Sequence, residues 1–129
     1  MEVSVSPVSS SSGAILLVDD SIETRAPLAG LLRSSGYLVL EAASSDDALD
    51  LLNSRLEIDV LIAQAQVEGA MGGLALADWV GKTRPAMRVI VLSEQVPPPG
   101  ELCESLVFVL RPYPAADLLA MLPPASLAP

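Results

Sequence analysis

The chain has no histidine, one cysteine (Cys103), four aromatic residues and only seven Lys and Arg against 16 Asp and Glu. Each shortage removes a class of function. Without histidine there is no imidazole base, no usual zinc ligand and no phosphohistidine carrier. A single thiol cannot close an internal disulfide, which suits a reducing, cytoplasmic setting. A formal net charge of −9 and the lack of any basic run argue against a nucleic-acid-binding face. The longest unbroken apolar runs, 14–18, 106–110 and 118–122, are five residues each. A spanning helix needs about 20, so no membrane partner is expected. Glu2 stands where a basic n-region would open a secretory signal, so none is expected.

What is present is a 129-residue chain, 51% hydrophobic, long enough for one domain with a real core. Residues 1–13 are serine-rich and are expected to form a disordered arm, and 123–129, with three prolines, a frayed tail. The domain is expected over 14–122. Within it, short aliphatic runs alternate with segments of helical period. AILLV (14–18), YLVLEA (37–42), DVLIAQ (59–64), RVIVL (88–92) and LVFVL (106–110) read as strands. Helices are expected over 23–35, after a Ser44/Ser45 cap with Asp46 and Asp47 in its first turn, over 74–82, and from Pro114 to Leu122. Trp79 lies one position off the Leu74, Ala77, Val80 stripe and is expected at a partly exposed edge. Cys103 reads as a small apolar residue.

Strands apolar along their whole length are buried on both faces, which means a parallel sheet under two helical layers. The fold class expected is α/β: a doubly wound, flavodoxin-like, five-stranded parallel sheet in order 2-1-3-4-5. Ligands bind such folds at the carboxyl ends of the strands, where Asp19, Asp20, Gln64, Ser93 and Arg111 stand. An isolated Asp-Asp pair is more often a solvated turn or helix cap. The glycine-rich stretch 68–73 lacks the spacing of a phosphate loop and reads as a plain turn.

In this order and spacing, LLVDDS (16–21), IDVLIAQ (58–64), EGAMGGLALA (68–77), RPAMRVIVLS (84–93) and FVLRPY (108–113) resemble the receiver domain of two-component response regulators. In that family two acids after strand one and an aspartate after strand three hold Mg²⁺. The last accepts a phosphoryl group from a histidine kinase, and a Ser or Thr and a Lys bind its oxygens. Carried over, Asp19 and Asp20 match the acid pair and Ser93 the switch hydroxyl, with a one-residue ambiguity at Leu92. Phe108 matches the switch aromatic, and Arg111 the lysine. The phosphoacceptor position falls on Gln64, and Asp59 is no substitute because it lies at the other end of its strand. A haloacid-dehalogenase reading fails because Ser21 stands where a second aspartate is needed.

A neutral amide is neither a nucleophile nor a charged ligand. Mg²⁺ on Asp19 and Asp20 is therefore expected to be weak and the metal position empty, with no other cofactor. Arg111 is expected to form a bidentate pair with Asp19 or Asp20. Only 18 positions separate Ser93 from Arg111, including Pro97, Pro98 and Pro99, so the helix between strands four and five is expected to be shortened to the neighbourhood of 101–105. The resemblance implies a single-domain pseudo-receiver, not an enzyme, acting by docking on a histidine kinase or other two-component protein, or on itself as a homodimer. The alternatives are residual phosphotransfer through Ser93 or Asp20 and a small-ligand-binding signalling domain.

Overall fold

A computed structural model describes residues 13–67, 69, 71–95 and 102–124. Residues 1–12 of the arm expected over 1–13, and the end of the tail, 125–129, lie outside the described residues. Among the described residues, five strands and four helices follow one another as β1 (Ala14–Val18), α1 (Ile22–Ser34), β2 (Val39–Ala42), α2 (Ser45–Leu52), β3 (Ile58–Gln64), α3 (Gly73–Thr83), β4 (Arg88–Ser93), β5 (Leu106–Leu110) and α4 (Ala115–Ala120). All pairings are parallel, and the sheet order is β2-β1-β3-β4-β5, the order expected.

The alternation of side chains along a strand divides the core in two. Leu16, Val18, Leu61, Ala63, Val89 and Val91 face α2 and α3, where Ala48, Leu52, Leu76, Ala77 and Val80 meet them. Ile15, Leu17, Val60, Ile62, Ile90 and Leu92 face α1 and α4 and pack on Ala29, Leu32 and Leu118. β1 is buried along its full length, which is why its sequence shows no polar alternation. Burial of this kind stabilises by about 25 cal/mol for each Å² of apolar surface removed from water.

Two local features depart from expectation. β2 starts at Val39, because Tyr37 turns to the α1 and α4 side and donates its hydroxyl to the Pro123 carbonyl at 2.5 Å. Between β4 and β5, described residues 102–105 form a turn and carry no helix, and 96–101 lie outside the described residues. That connection is fastened to α3: the Cys103 N–H donates to Asp78 at 2.6 Å, and a side chain at Gly81 would press on Cys103 and Leu106. The Ser44 cap is as expected, its hydroxyl accepting the Asp47 N–H at 3.1 Å.

Candidate functional site

Register carries the site residues to one edge. Val18 pairs with Ala63, Gln64 with Leu92 and Ser93 with Leu110, so the residues at or just past the strand ends meet above the sheet. They line a crevice of about 540 Å³ that includes Asp19, Asp20, Thr24, Gln64, Ser93 and Arg111. The Ala65 N–H donates to the Leu92 carbonyl at 2.9 Å and the Arg111 N–H to the Ser93 carbonyl at 2.8 Å, continuing the ladder into the loops.

The centre of the crevice is a hydrogen-bonded chain through Gln64. Its Oε1 accepts from Arg111 Nη1 at 2.7 Å, and its Nε2 donates to Asp19 Oδ2 at 3.4 Å. Gln64 and Asp19 are 8% and 4% exposed, so these polar groups are desolvated and depend on their partners. Asp19 has two further donors: the Ser21 N–H reaches Oδ1 at 3.0 Å, and the Thr24 hydroxyl makes a short contact with Oδ2. Arg111 therefore meets the amide of Gln64, where a direct bidentate pair with an acid was expected. The long glutamine reaches between guanidinium and carboxylate and offers the right group to each.

The backbone around this chain is clamped. Arg25 Nη1 donates to the Asp19 carbonyl at 2.6 Å, while its Nε pairs with Glu41 on β2 at 2.9 Å. Arg33 pairs with the other Glu41 oxygen at 3.0 Å and donates to the Val39 carbonyl at 2.9 Å. Burial pushes the Glu41 carboxyl up, but the hydrogen bonds and charges of Arg25 and Arg33 outweigh it and hold the group below the usual carboxylate value. On the other side, α3 begins against the end of β3. A Cβ on Gly73 would stand 1.6 Å from the Gln64 carbonyl oxygen, so only glycine permits this approach. Gly69, at φ +130°, lies against Ser45, whose buried hydroxyl accepts the Met71 N–H at 3.1 Å.

Asp20, Ser93 and Phe108, also singled out in the sequence, line the same crevice. Asp20 is exposed. Ser93 Oγ closes a tight turn, donating to the Gln95 carbonyl at 2.9 Å and accepting its N–H at 3.1 Å. Phe108 is half-buried and lines the crevice while packing on the α2 and α3 side of the core. Tyr113 is also near: burial raises its hydroxyl, Arg111 lowers it and Asp19 raises it, with a net upward shift. Asp59 is at the far end of β3. Thr24, Arg25 and Gly73 escaped the sequence reading. The available signal was position alone: Thr24 and Arg25 lie in the first turn of α1, whose side chains lean back toward the helix start and the Asp19 turn.

Mg²⁺ needs oxygen lone pairs in near-octahedral array, usually from one or two carboxylates. The donors at Asp19 and Gln64 do not fit it. The Asp19 oxygens already accept three hydrogen bonds, and the carbonyl of Gln64 is taken by Arg111. Among the described residues no group of three or more His, Cys, Asp or Glu side chains is disposed to hold a metal ion.

The family model of the response regulator receiver domain matches residues 15–100. The two-component response regulator ORR11 of rice (Oryza sativa subsp. indica) is 33% identical over 119 residues, covering 85% of this chain and 80% of the relative. Among solved structures, the signal receiver domain of an HD domain-containing protein from Pseudomonas fluorescens Pf-5 is 27% identical with a TM-score of 0.71, covering 84% of this chain and 89% of that one. The receiver domain of NtrX from Brucella abortus is 27% identical with a TM-score of 0.69, covering 83% and 92%. With the sheet order, the crevice and these likenesses in agreement, the chain belongs to the response regulator receiver domain family.

Proposed function

We propose that this chain is a pseudo-receiver of two-component signalling: a module that docks on protein partners without taking up a phosphoryl group. The observation that carries this reading is the amide of Gln64, held between Arg111 and Asp19 at the place where the resemblance expects a phosphoacceptor aspartate. An amide nitrogen and oxygen engaged in this way offer no nucleophile. Arg111, which would otherwise be the cation for phosphoryl oxygens, has its hydrogen bond within the protein.

The partner class follows from the family and from the rice relative, whose name is that of a two-component response regulator. A histidine kinase or a phosphotransfer protein is the first partner, a second copy of the chain the next, and the cytoplasm the setting. Competition with phosphorylatable receivers for the same docking face is the mode of action, with no reaction catalysed by the chain itself.

Incubation with acetyl phosphate and Mg²⁺, followed by intact-mass measurement, tests the reading. The expected result is an unchanged mass, with the affinity for a purified histidine kinase also unchanged by the treatment. A stable mass gain of one phosphoryl group would overturn it.

A further inference from the structure

We propose that Thr24, together with Gln64, closes the Asp19 carboxylate to divalent cations, so that restoring the aspartate alone restores only a weak metal site. The inference rests on the pseudo-receiver reading and adds a second residue to it. A carboxylate offers about four lone-pair directions. At Asp19, Oδ1 accepts the Ser21 N–H, and Oδ2, the oxygen that faces Gln64, accepts both the Gln64 amide and the Thr24 hydroxyl. A donor hydrogen placed on a lone pair both blocks and repels a cation there. Changing Gln64 removes one of the two donors on Oδ2 and leaves the other.

Thr24 is well placed to persist in this role. Its hydroxyl has one hydrogen and two acceptors within reach, the Asp19 carboxylate and the Ser21 carbonyl at 3.3 Å. The charged acceptor is the stronger. Its neighbour Arg25 ties α1 to the Asp19 carbonyl at 2.6 Å and to Glu41 at 2.9 Å, so the first turn of the helix cannot draw away without breaking both. The backbone bond from Ser21 lies on the other oxygen and leaves Oδ2 to be decided by side chains. Thr24 is thus a specificity-determining residue: it selects the cation-free form of the site.

The test compares Mg²⁺ titrations of four full-length chains by amide NMR and calorimetry: wild type, Gln64→Asp, Gln64→Asp with Thr24→Val, and Gln64→Asp with Thr24→Ser. Valine keeps the shape of threonine and removes the hydroxyl; serine keeps the hydroxyl. Urea melts and dispersed spectra establish that each variant is folded. The expected order is no saturable binding by wild type, weak binding by Gln64→Asp, and binding tighter by about tenfold in the Thr24→Val double variant, with the serine double variant matching Gln64→Asp. Equal affinity of Gln64→Asp and the valine double variant overturns the role of Thr24 and leaves the pseudo-receiver reading intact. Failure of both to bind Mg²⁺ also overturns it, because something other than Thr24 then closes the site. Saturable binding by the wild type overturns the proposal outright, because the crevice is then open to the cation with Gln64 and Thr24 both in place; the pseudo-receiver reading falls instead to the phosphoryl mass gain described above.

Discussion

A primary amide is uncharged, yet its nitrogen can give a hydrogen bond to a carboxylate while its oxygen, a few ångströms away, takes one from a guanidinium. Gln64 does both, in a site nine-tenths buried. Gln64→Met keeps the length and removes both functions, leaving Asp19 and Arg111 each one partner short. A loss of about 1–3 kcal/mol is expected, at the lower end because Asp19 keeps Ser21 and Thr24; urea denaturation measures it. Gly73→Ala sets a methyl against the Gln64 carbonyl oxygen and forces α3 away from β3. A cost of roughly 3 kcal/mol is expected, with amide shifts centred on Gln64 and Ala65. The positions of Asp19, Gln64, Ser93 and Arg111 in the crevice were legible from strand ends. The partner of Arg111 was not, because charge alone favours an acid and only the three-dimensional reach of the glutamine side chain decides for the amide. Thr24 was illegible for a similar reason: a hydroxyl on an amphipathic helix carries no mark of the carboxylate it meets.

At the scale of elements, α1 is held to the edge strand β2 by one carboxylate shared between two arginines. Glu41 has a folded value below the ordinary glutamate value of 4.5. Its contribution to stability is therefore fully present above that value and is lost as pH falls through the lower, folded one. Glu41→Gln is expected to lose about 1 kcal/mol at neutral pH, with little difference from wild type once the medium is acidic enough to protonate Glu41. Thermal melts across the acid range check the sign. The helices and strands were readable because their apolar periods differ. The connection between β4 and β5 was less so. The short span from Ser93 to Arg111 suggested a shortened helix near 101–105, but 102–105 form a turn, with the Cys103 N–H bonded to Asp78 on α3. The same contact, from the Cys103 N–H first and Lys82 second, keeps the Asp78 carboxyl below its usual value. Asp78→Asn is expected to loosen this connection, seen as faster amide exchange at Cys103, without altering the crevice.

At the scale of the molecule, the parallel sheet with helices on both faces was the most legible feature, since strands that are apolar throughout admit few other arrangements. The sheet presents one functional edge, and what that edge does is decided by a few side chains on it. Among the described residues, the crevice combines Asp19, Asp20 and exposed Glu94 with one cation, Arg111, and the whole chain is acidic at −9. Acidity alone would attract Mg²⁺; the hydrogen bonds on Asp19 and Gln64 oppose its coordination. In the proposed reading, the switch is held in one state by the hydrogen bonds of its own side chains. The most direct measurement is an amide NMR titration of the wild-type chain with Mg²⁺ and then with beryllofluoride, a mimic of an aspartyl phosphate. The expected spectra stay in place at Asp20, Gln64, Ser93 and Phe108. Large, saturating shifts at those residues would contradict that reading and make this chain a working phosphorylation switch.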